Sequence, residues 1–121
     1  MIACVCEAMR VRVDDAEIDV AIEGSGKPIV LLHGFPLTRE IWESQRSLAS
    51  QFTVIRPDLR GMGTSTGDTG PYLMEVLAGD VASVLDACGI ERCAIAGHSA
   101  GGYVALAFAR RFSRSAAFTR R

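Results

Sequence analysis

The stretch Cys93-Ala94-Ile95-Ala96-Gly97-His98-Ser99-Ala100-Gly101-Gly102 decides the fold, because a short apolar run turns at once into an alanine-rich segment. Residues 93–96 are typical of a buried strand, and the segment from Ser99 to about Phe112 is typical of a helix. The pentapeptide 97–101 has the pattern G-x-S-x-G, which marks a nucleophile elbow when a strand precedes it and a helix follows. Such a bend strains its middle residue, lifts that side chain clear of the backbone and requires small residues two positions away, here Gly97 and Gly101. The sequence therefore predicts a nucleophilic Ser99; the alternative is a glycine-rich turn without chemistry.

A second motif, His33-Gly34-Phe35-Pro36, follows the continuous apolar run Ile29-Val30-Leu31-Leu32. Gly34 allows the chain to turn sharply beside the end of the sheet, so that a backbone N–H of this loop can point at the place where Ser99 attacks. Together with the N–H of Ala100, such a donor would stabilise a developing oxyanion. The alternative is an ordinary tight turn that Pro36 ends.

Strands and helices alternate along most of the chain, which predicts an α/β protein with crossover connections. Residues 10–13 and 17–22 alternate apolar and polar side chains around Asp14-Asp15 and predict an antiparallel hairpin. The prediction is a mostly parallel sheet of about five strands, with this hairpin at its edge, and about three helices. The remaining predicted elements are a helix over 39–50 capped by Thr38, a strand over 52–55, a loop over 57–70 and a helix over 72–88.

Three motifs, at residues 33–36, 58–65 and 97–102, occur in the order and spacing of the α/β-hydrolase superfamily. Over residues 10 to about 112 the chain resembles the N-terminal portion of its serine esterase, lactonase and perhydrolase branch. The resemblance implies that Ser99 is the nucleophile, that the N–H groups of Phe35 and Ala100 form the oxyanion hole, and that the 58–65 loop braces the floor of the site. It also argues against the dehalogenase and epoxide-hydrolase branches, which use aspartate at the elbow. His33, Gly34, Gly97, His98 and Gly101 then have supporting roles around these groups.

The resemblance places the acid and the histidine of the triad after the elbow, in the order Ser, acid, His. Only 22 residues follow Ser99, and none is Asp, Glu or His. His33 is assigned to the oxyanion loop, and His98 to a packed or hydrogen-bonded position at the strand end. Asp80 and Asp86 are interpreted as part of a charged helix face on the solvent or sheet-edge side.

We therefore expect residues 1–112 to form the N-terminal half of an α/β-hydrolase domain. Residues 113–121 are interpreted as a basic tail without a strand, consistent with a truncated or frame-shifted reading frame. By lineage the function is hydrolysis of ester or other acyl bonds, with little or no activity in this chain alone. The alternative is a non-catalytic remnant that acts, if at all, by association with another chain, and an anion-binding tail is a weaker third interpretation.

Composition restricts the partners of this chain of 121 residues, whose formal net charge is −1. No apolar run reaches the roughly 18 residues that a membrane span needs, so no membrane partner is expected. No nucleic acid and no cofactor are expected, and Cys4-x-Cys6 lacks a second close pair, so no metal is expected. The expected partner is a small ester or acyl substrate. Reduced cysteines predict a cytoplasmic location, and an open sheet edge beside residues 93–96 predicts self-association.

Overall fold

A single mixed sheet carries helices on both of its faces. The computed structural model describes residues 6–67, 73–112 and 116–118. The strands are β1 (Cys6–Val13), β2 (Ala16–Gly24), β3 (Lys27–Leu32), β4 (Phe52–Pro57), β5 (Cys93–Gly97) and β6 (Ala116–Phe118). A 3₁₀ helix spans Arg39–Ser50, and two α-helices follow, α1 (Met74–Ala87) and α2 (Ala100–Arg111).

The order of the strands in the sheet is β1-β2-β4-β3-β5-β6. β1 pairs with β2 and β2 with β4 in antiparallel fashion, whereas β4, β3, β5 and β6 are parallel neighbours. The predicted α/β class and the antiparallel hairpin at one edge are thus confirmed. Because β3 and β5 run parallel and adjacent, their carboxyl ends lie side by side, which brings the loop after Leu32 next to the turn after Gly97.

The two faces of the sheet carry cores of different size, and β3 contributes to both by alternation of its side chains. Val30 and Leu32 join the larger core, which lies against α1 and α2 and includes Val81, Val104 and Phe108. Leu31 joins a smaller core on the opposite face, with Ala49, Val54 and Ala96. Phe108 is only 1% exposed, and burial of a side chain of this size contributes about 1.5–3 kcal/mol.

The segment Arg39–Ser50 is helical as predicted, but it is a 3₁₀ helix rather than an α-helix. Thr38 is its N-cap, and the Thr38 hydroxyl accepts a hydrogen bond of 3.2 Å from the N–H of Glu40. Ala49 of this segment is buried, and Trp42 and Leu48 pack against the smaller core. Ion pairs also attach the segment to the sheet, from Glu43 to Arg56 and from Arg46 to Glu23.

The expectation of a tail without a strand is wrong for residues 116–118. These residues form β6, a sixth strand that pairs in parallel with Cys93–Ile95 of β5. β5 is therefore not the edge strand that the sequence predicted. The unpaired N–H and C=O groups beside β5 can be satisfied by any extended backbone, so a segment without β-branched residues can occupy this position.

Among the described residues, no helix is both long enough and apolar enough to cross a membrane.

Candidate active site

The turn between β5 and α2 is as sharp as the G-x-S-x-G pattern predicts. Gly97 ends the strand, Ala100 begins the helix, and Ser99 between them has φ 57° and ψ −118°. Only Asp14 and Ser99 combine a side chain with a positive φ among the non-glycine residues of the described ranges. Such a conformation costs about 1–3 kcal/mol and persists only where the surrounding structure imposes it. The Ser99 side chain is exposed at the top of this turn.

Three glycines make room for the turn. A Cβ atom on Gly97 would lie 2.3 Å from the carbonyl oxygen of Gly101, and a Cβ on Gly101 would lie 2.3 Å from that of Leu32. Gly34 approaches from the neighbouring loop, where a Cβ would lie 3.1 Å from the Cβ of Ser99. The loop after β3 therefore lies directly beside Ser99, as the parallel pairing of β3 and β5 requires.

The backbone N–H groups of Phe35 and Ala100, both close to Ser99, make no hydrogen bond to any acceptor among the described residues. Two other amides of these turns are engaged: Leu37 donates to the carbonyl of Gly34 over 2.8 Å, and Gly101 donates to the carbonyl of His98 over 2.9 Å. Ala100 is the first residue of α2, where the helix dipole favours negative charge. The amides of Phe35 and Ala100 are therefore free hydrogen-bond donors in the two turns that meet at Ser99.

His33 is fully buried, and both nitrogens of its ring are engaged. Nε2 accepts a hydrogen bond of 2.9 Å from the N–H of Leu59, so this nitrogen carries no proton. Nδ1 must then carry the proton and donate it to the carbonyl of Gly34 over 2.8 Å. Burial lowers the pKa of His33, and the opposing effects of the Gly34 carbonyl and the Asp58 charge are smaller. His33 is thus a neutral structural residue and cannot accept a proton from Ser99.

His98 does not lie where it was expected. The prediction was a packed or hydrogen-bonded residue, but the side chain is exposed, and its ring makes no hydrogen bond to another described residue. Its Cδ2 lies beside Gly34, 3.3 Å from the position that a Cβ there would take.

Asp80 was expected on a solvent-exposed or sheet-edge face of its helix, and this is wrong. It is 3% exposed, and its two carboxylate oxygens each accept a hydrogen bond of 2.8 Å from the Arg60 guanidinium. Both oxygens of the Asp80 carboxylate therefore face Arg60. A helical pattern cannot reveal such a partner, because Arg60 comes from a distant loop. Asp86 is exposed, as expected.

The 58–65 loop contains a site feature that sequence reasoning did not assign to individual residues. The Asp58 carboxylate is buried and accepts hydrogen bonds from the backbone N–H of Arg39 over 2.8 Å and from the Arg39 guanidinium over 3.0 Å. Thr64 donates to the same carboxylate through its N–H over 3.0 Å. Gly63 has φ 57°, and a Cβ there would lie 2.4 Å from the carboxylate carbon of Asp58. The sequence Asp58…Gly63-Thr64 could have suggested this turn, but nothing in the sequence pointed to Arg39.

Asp19 extends this cluster of charges. Burial raises its pKa, but hydrogen bonds from Thr64 and Arg39 and the Arg39 charge outweigh this effect, and the net shift of the pKa is downward. Arg39 contacts the carboxylates of Asp19 and Asp58 at 3.1 and 3.0 Å. Both carboxylates thus face the same cation.

No group of three or more His, Cys, Asp or Glu side chains that could hold a metal ion occurs within residues 6–67, 73–112 and 116–118. Cys4 of the Cys4-x-Cys6 pair lies outside the described residues. Two surface cavities of about 420 and 410 Å³ share Pro28 in their linings. They lie at the amino ends of β3 and β4, at the opposite end of the sheet from Ser99.

Comparison with known proteins identifies the family of the chain. The sequence model of the family described as "alpha/beta hydrolase fold" matches residues 27–117. The chain belongs to the alpha/beta hydrolase fold family, and its resemblance to the N-terminal portion of such enzymes is confirmed.

Individual relatives carry several different activities in their names. A soluble epoxide hydrolase from Corynebacterium sp. is 42% identical over 87 residues, which are 71% of this chain and 30% of the relative. A fluoroacetate dehalogenase from Burkholderia sp. is 35% identical over 102 residues, 79% of this chain and 34% of the relative. The solved structure of a thermophilic esterase from Thermogutta terrifontis superposes with a TM-score of 0.83 at 39% identity, over 94% of this chain and 44% of the esterase. The chain spans about a third of the length of the curated relatives it matches.

Proposed function

We propose that Ser99 is the nucleophile of an acyl-transfer site that hydrolyses ester or related acyl bonds of small molecules. The observation that carries the proposal is the conformation of Ser99, an exposed hydroxyl on a strained turn between two glycines that tolerate no Cβ. A substrate carbonyl attacked by Ser99 would develop negative charge, and the free amides of Phe35 and Ala100 supply two donors on the adjacent backbone. Gly34, Gly97 and Gly101 make the space, and His33 holds the loop.

Serine at the elbow supports acyl chemistry over the reactions named for two of the relatives. The family resemblance implies aspartate, not serine, at this position in epoxide hydrolases and dehalogenases. A serine hydroxyl instead forms an acyl-enzyme, which water can hydrolyse. The similarity to a thermophilic esterase is consistent with this assignment.

We propose further that the general base is not supplied by the described residues. The Ser99 hydroxyl has no hydrogen-bond partner among them, His33 is engaged through both nitrogens, and the His98 ring makes no hydrogen bond to Ser99. A serine without a base retains only a small part of its activity, since removal of triad members leaves a rate only about 10³–10⁴ times that of the uncatalysed reaction. The chain alone should therefore react slowly, and an external base should accelerate it.

Chemical rescue tests this function directly. The purified chain is treated with a fluorophosphonate and with an activated aryl ester, at increasing concentrations of imidazole as the external base. We expect both reactions to be slow without imidazole and to accelerate with it, with a single adduct at Ser99. Ser99→Ala should abolish adduct formation and rescue. Ser44→Ala, which removes an exposed hydroxyl from the 3₁₀ helix, should change neither. Labelling that persists in Ser99→Ala would refute the assignment.

A second candidate function is association with a polypeptide that completes the site. On the sheet face that bears the 3₁₀ helix, Ala94 is partly exposed, and it lines the cavity of about 410 Å³ with Lys27 and Phe52. This surface beside β5 also includes Arg92, and a polypeptide bound here would have to extend to the other end of the sheet to complete the site. Mixing the chain with the part of the Thermogutta esterase beyond the matched region should then produce esterase activity that depends on Ser99, and absence of a complex would oppose this candidate. The free thiols of Cys88 and Cys93 support a cytoplasmic location for either function.

A further inference from the structure

We propose that Asp58 is a positioning residue that sets the direction of the Phe35 N–H by holding the far end of the oxyanion loop, defined as residues 33–39. The proposal rests on the function proposed for Ser99 and Phe35. Asp58 does not touch the reacting atoms; it acts through Arg39, with which it makes two hydrogen bonds.

The near end of the oxyanion loop is attached to the residue that follows Asp58. The His33 ring accepts from the N–H of Leu59 over 2.9 Å and, through its other nitrogen, donates to the carbonyl of Gly34 over 2.8 Å. Because the ring is fully buried, water does not replace these bonds easily. The position of Gly34 is thereby tied to the 58–65 loop.

The far end of the oxyanion loop is attached to Asp58 itself. Oδ1 accepts from the backbone N–H of Arg39 over 2.8 Å, and Oδ2 accepts from the Arg39 guanidinium over 3.0 Å. Within the loop, Leu37 donates to Gly34 over 2.8 Å and closes a tight turn around Phe35. Phe35 therefore lies between two attachments that both lead to adjacent residues, Asp58 and Leu59.

The carboxylate that makes the far attachment is itself fixed. Asp58 is 2% exposed, and the backbone N–H of Thr64 donates to its Oδ2 over 3.0 Å. The Ser65 hydroxyl donates to the backbone carbonyl of Asp58 over 2.6 Å, and the Asp58 N–H donates to the carbonyl of Asp19 over 2.9 Å. With so many donors directed at it, the carboxylate cannot rotate to follow a loop that moves. It therefore acts as a fixed reference for the Phe35 amide.

Loss of the far attachment should affect the oxyanion donor and leave the nucleophile intact. Removal of a whole oxyanion donor typically costs about 10²–10³ in rate. A Phe35 amide that is present but less well directed should cost less, about tenfold in the rate of phosphonylation. The amide of Ala100 belongs to α2 and should be unaffected.

A matched pair of substitutions at residue 39 isolates the hydrogen bond to Asp58. Arg39→Ala removes the guanidinium and keeps the backbone N–H, whereas Arg39→Pro removes both. Residue 39 is the first residue of the 3₁₀ helix, a position that proline favours, and Thr38 before it is extended at φ −140° and ψ 176°, as a residue before proline must be. The difference between the two variants therefore reports the N–H to Oδ1 bond.

The readout is the amide signals of Phe35 and Ala100 in nitrogen-labelled protein, before and after phosphonylation in imidazole buffer. In Arg39→Ala we expect both signals to move downfield as the phosphonyl oxygen accepts from both amides. In Arg39→Pro the Phe35 shift should shrink and phosphonylation should slow about tenfold relative to Arg39→Ala, with the Ala100 shift unchanged. Asp58→Ala removes the acceptor of this hydrogen bond instead of its donor, and it should give the same result as Arg39→Pro.

The outcomes separate the two proposals. The role of Asp58 would be overturned if phosphonylation moved the Phe35 amide signal equally in Arg39→Pro and Arg39→Ala, and if this movement were also undiminished in Asp58→Ala. If Ser99 forms no adduct in the unchanged chain, or if the adduct forms and neither amide moves, the function proposed for the site fails instead. A loss of both amide shifts together in Asp58→Ala, with Ala100 as affected as Phe35, would indicate general unfolding and would also contradict a positioning role.

Discussion

At the scale of single residues, the candidate site depends on Gly97 and Gly101, because neither position has room for a Cβ atom. Ser99 keeps a conformation that side chains rarely adopt, and it can do so because the carbonyl groups of Gly101 and Leu32 occupy the space where a Cβ would be. The strain at Ser99 is thus held by close packing of backbone on backbone. Any methyl group added here must displace main chain, which is far stiffer than a side chain.

Gly101→Ala should therefore destabilise the chain severely. Its Cβ would lie 2.3 Å from the carbonyl oxygen of Leu32 and 2.5 Å from that of His33, so β3 and α2 must separate. We expect a loss of at least 2 kcal/mol in the free energy of unfolding, in the range typical of overpacked cores. Urea denaturation followed by circular dichroism measures this loss. A decrease in the free energy of unfolding of less than about 0.5 kcal/mol would contradict the close backbone contacts of Gly101.

His33 should make stability depend on pH in a defined window. Burial lowers its pKa below the ordinary value of 6.5, so the unfolded chain binds a proton more readily than the folded chain. Stability is then complete above pH 6.5 and falls as the pH drops below 6.5 towards the lower pKa of the folded state. The urea midpoint should be lower at pH 5.5 than at pH 7.5 by a fraction of a molar unit.

Two variants control this experiment. His33→Gln keeps an acceptor for the Leu59 amide and does not titrate, so its midpoint should be nearly the same at both pH values. His98→Gln removes the exposed histidine and should retain the pH dependence of the unchanged chain. If His98→Gln rather than His33→Gln abolishes the dependence, the buried neutral histidine is not its source.

The residues of the site were predictable to different degrees. Ser99, Gly97 and Gly101 follow from a local pattern, because the steric demand of the elbow acts between residues close in sequence. The roles of Asp58 and Arg39 could not be predicted, since their hydrogen bonds join segments 19 residues apart. Asp80 was misplaced for the same reason, because its partner Arg60 is brought to it by the fold.

At the scale of elements, hydrophobic periodicity predicted the helices and strands and said less about their detailed geometry. α1 was predicted at 72–88 and spans Met74–Ala87, because its buried side chains recur at helical spacing. The 3₁₀ geometry of Arg39–Ser50 could not be predicted, since the apolar pattern indicates a helix but does not distinguish its type, and the ion pairs to Glu23 and Arg56 join segments distant in sequence. β6 was missed because its three residues owe their extended form to the backbone of β5.

Gly79→Ala should stabilise α1. Glycine in the interior of a helix costs about 1 kcal/mol relative to alanine, and a Cβ on Gly79 would meet only the Arg111 guanidinium, at 3.7 Å. We expect a gain of about 0.5–1 kcal/mol in the free energy of unfolding, measured by urea denaturation. The matched variant Gly89→Ala should destabilise, because Gly89 has φ +70° just past the helix end. The reverse order of the two variants would contradict the boundaries of α1.

At the scale of the whole molecule, the sheet remains incomplete on one side. β6 pairs with only three residues of β5 and has no strand beyond it in the described part of the chain. An open edge of this kind offers unpaired backbone groups to another chain. We therefore predict association that increases with protein concentration, which sedimentation velocity measures.

Proline substitutions locate the associating edge. Neighbouring amides of a strand point in opposite directions, so one of Ala116 and Ala117 directs its N–H away from β5. Proline at whichever of these two residues directs its N–H outward should weaken association, because it removes a hydrogen-bond donor from the outer edge of β6. Proline at the other residue serves as the comparison. A chain that sediments as a monomer at every concentration would show that the outer edge of β6 does not mediate association.

The central claim is that Ser99 and the amides of Phe35 and Ala100 form one acyl-transfer site. A crystal structure of the phosphonylated chain tests it most directly. The phosphorus should be bonded to the Ser99 Oγ, with one phosphonyl oxygen about 2.7–3.1 Å from both amide nitrogens. A phosphonyl oxygen that faces solvent, away from both amides, would contradict the claim.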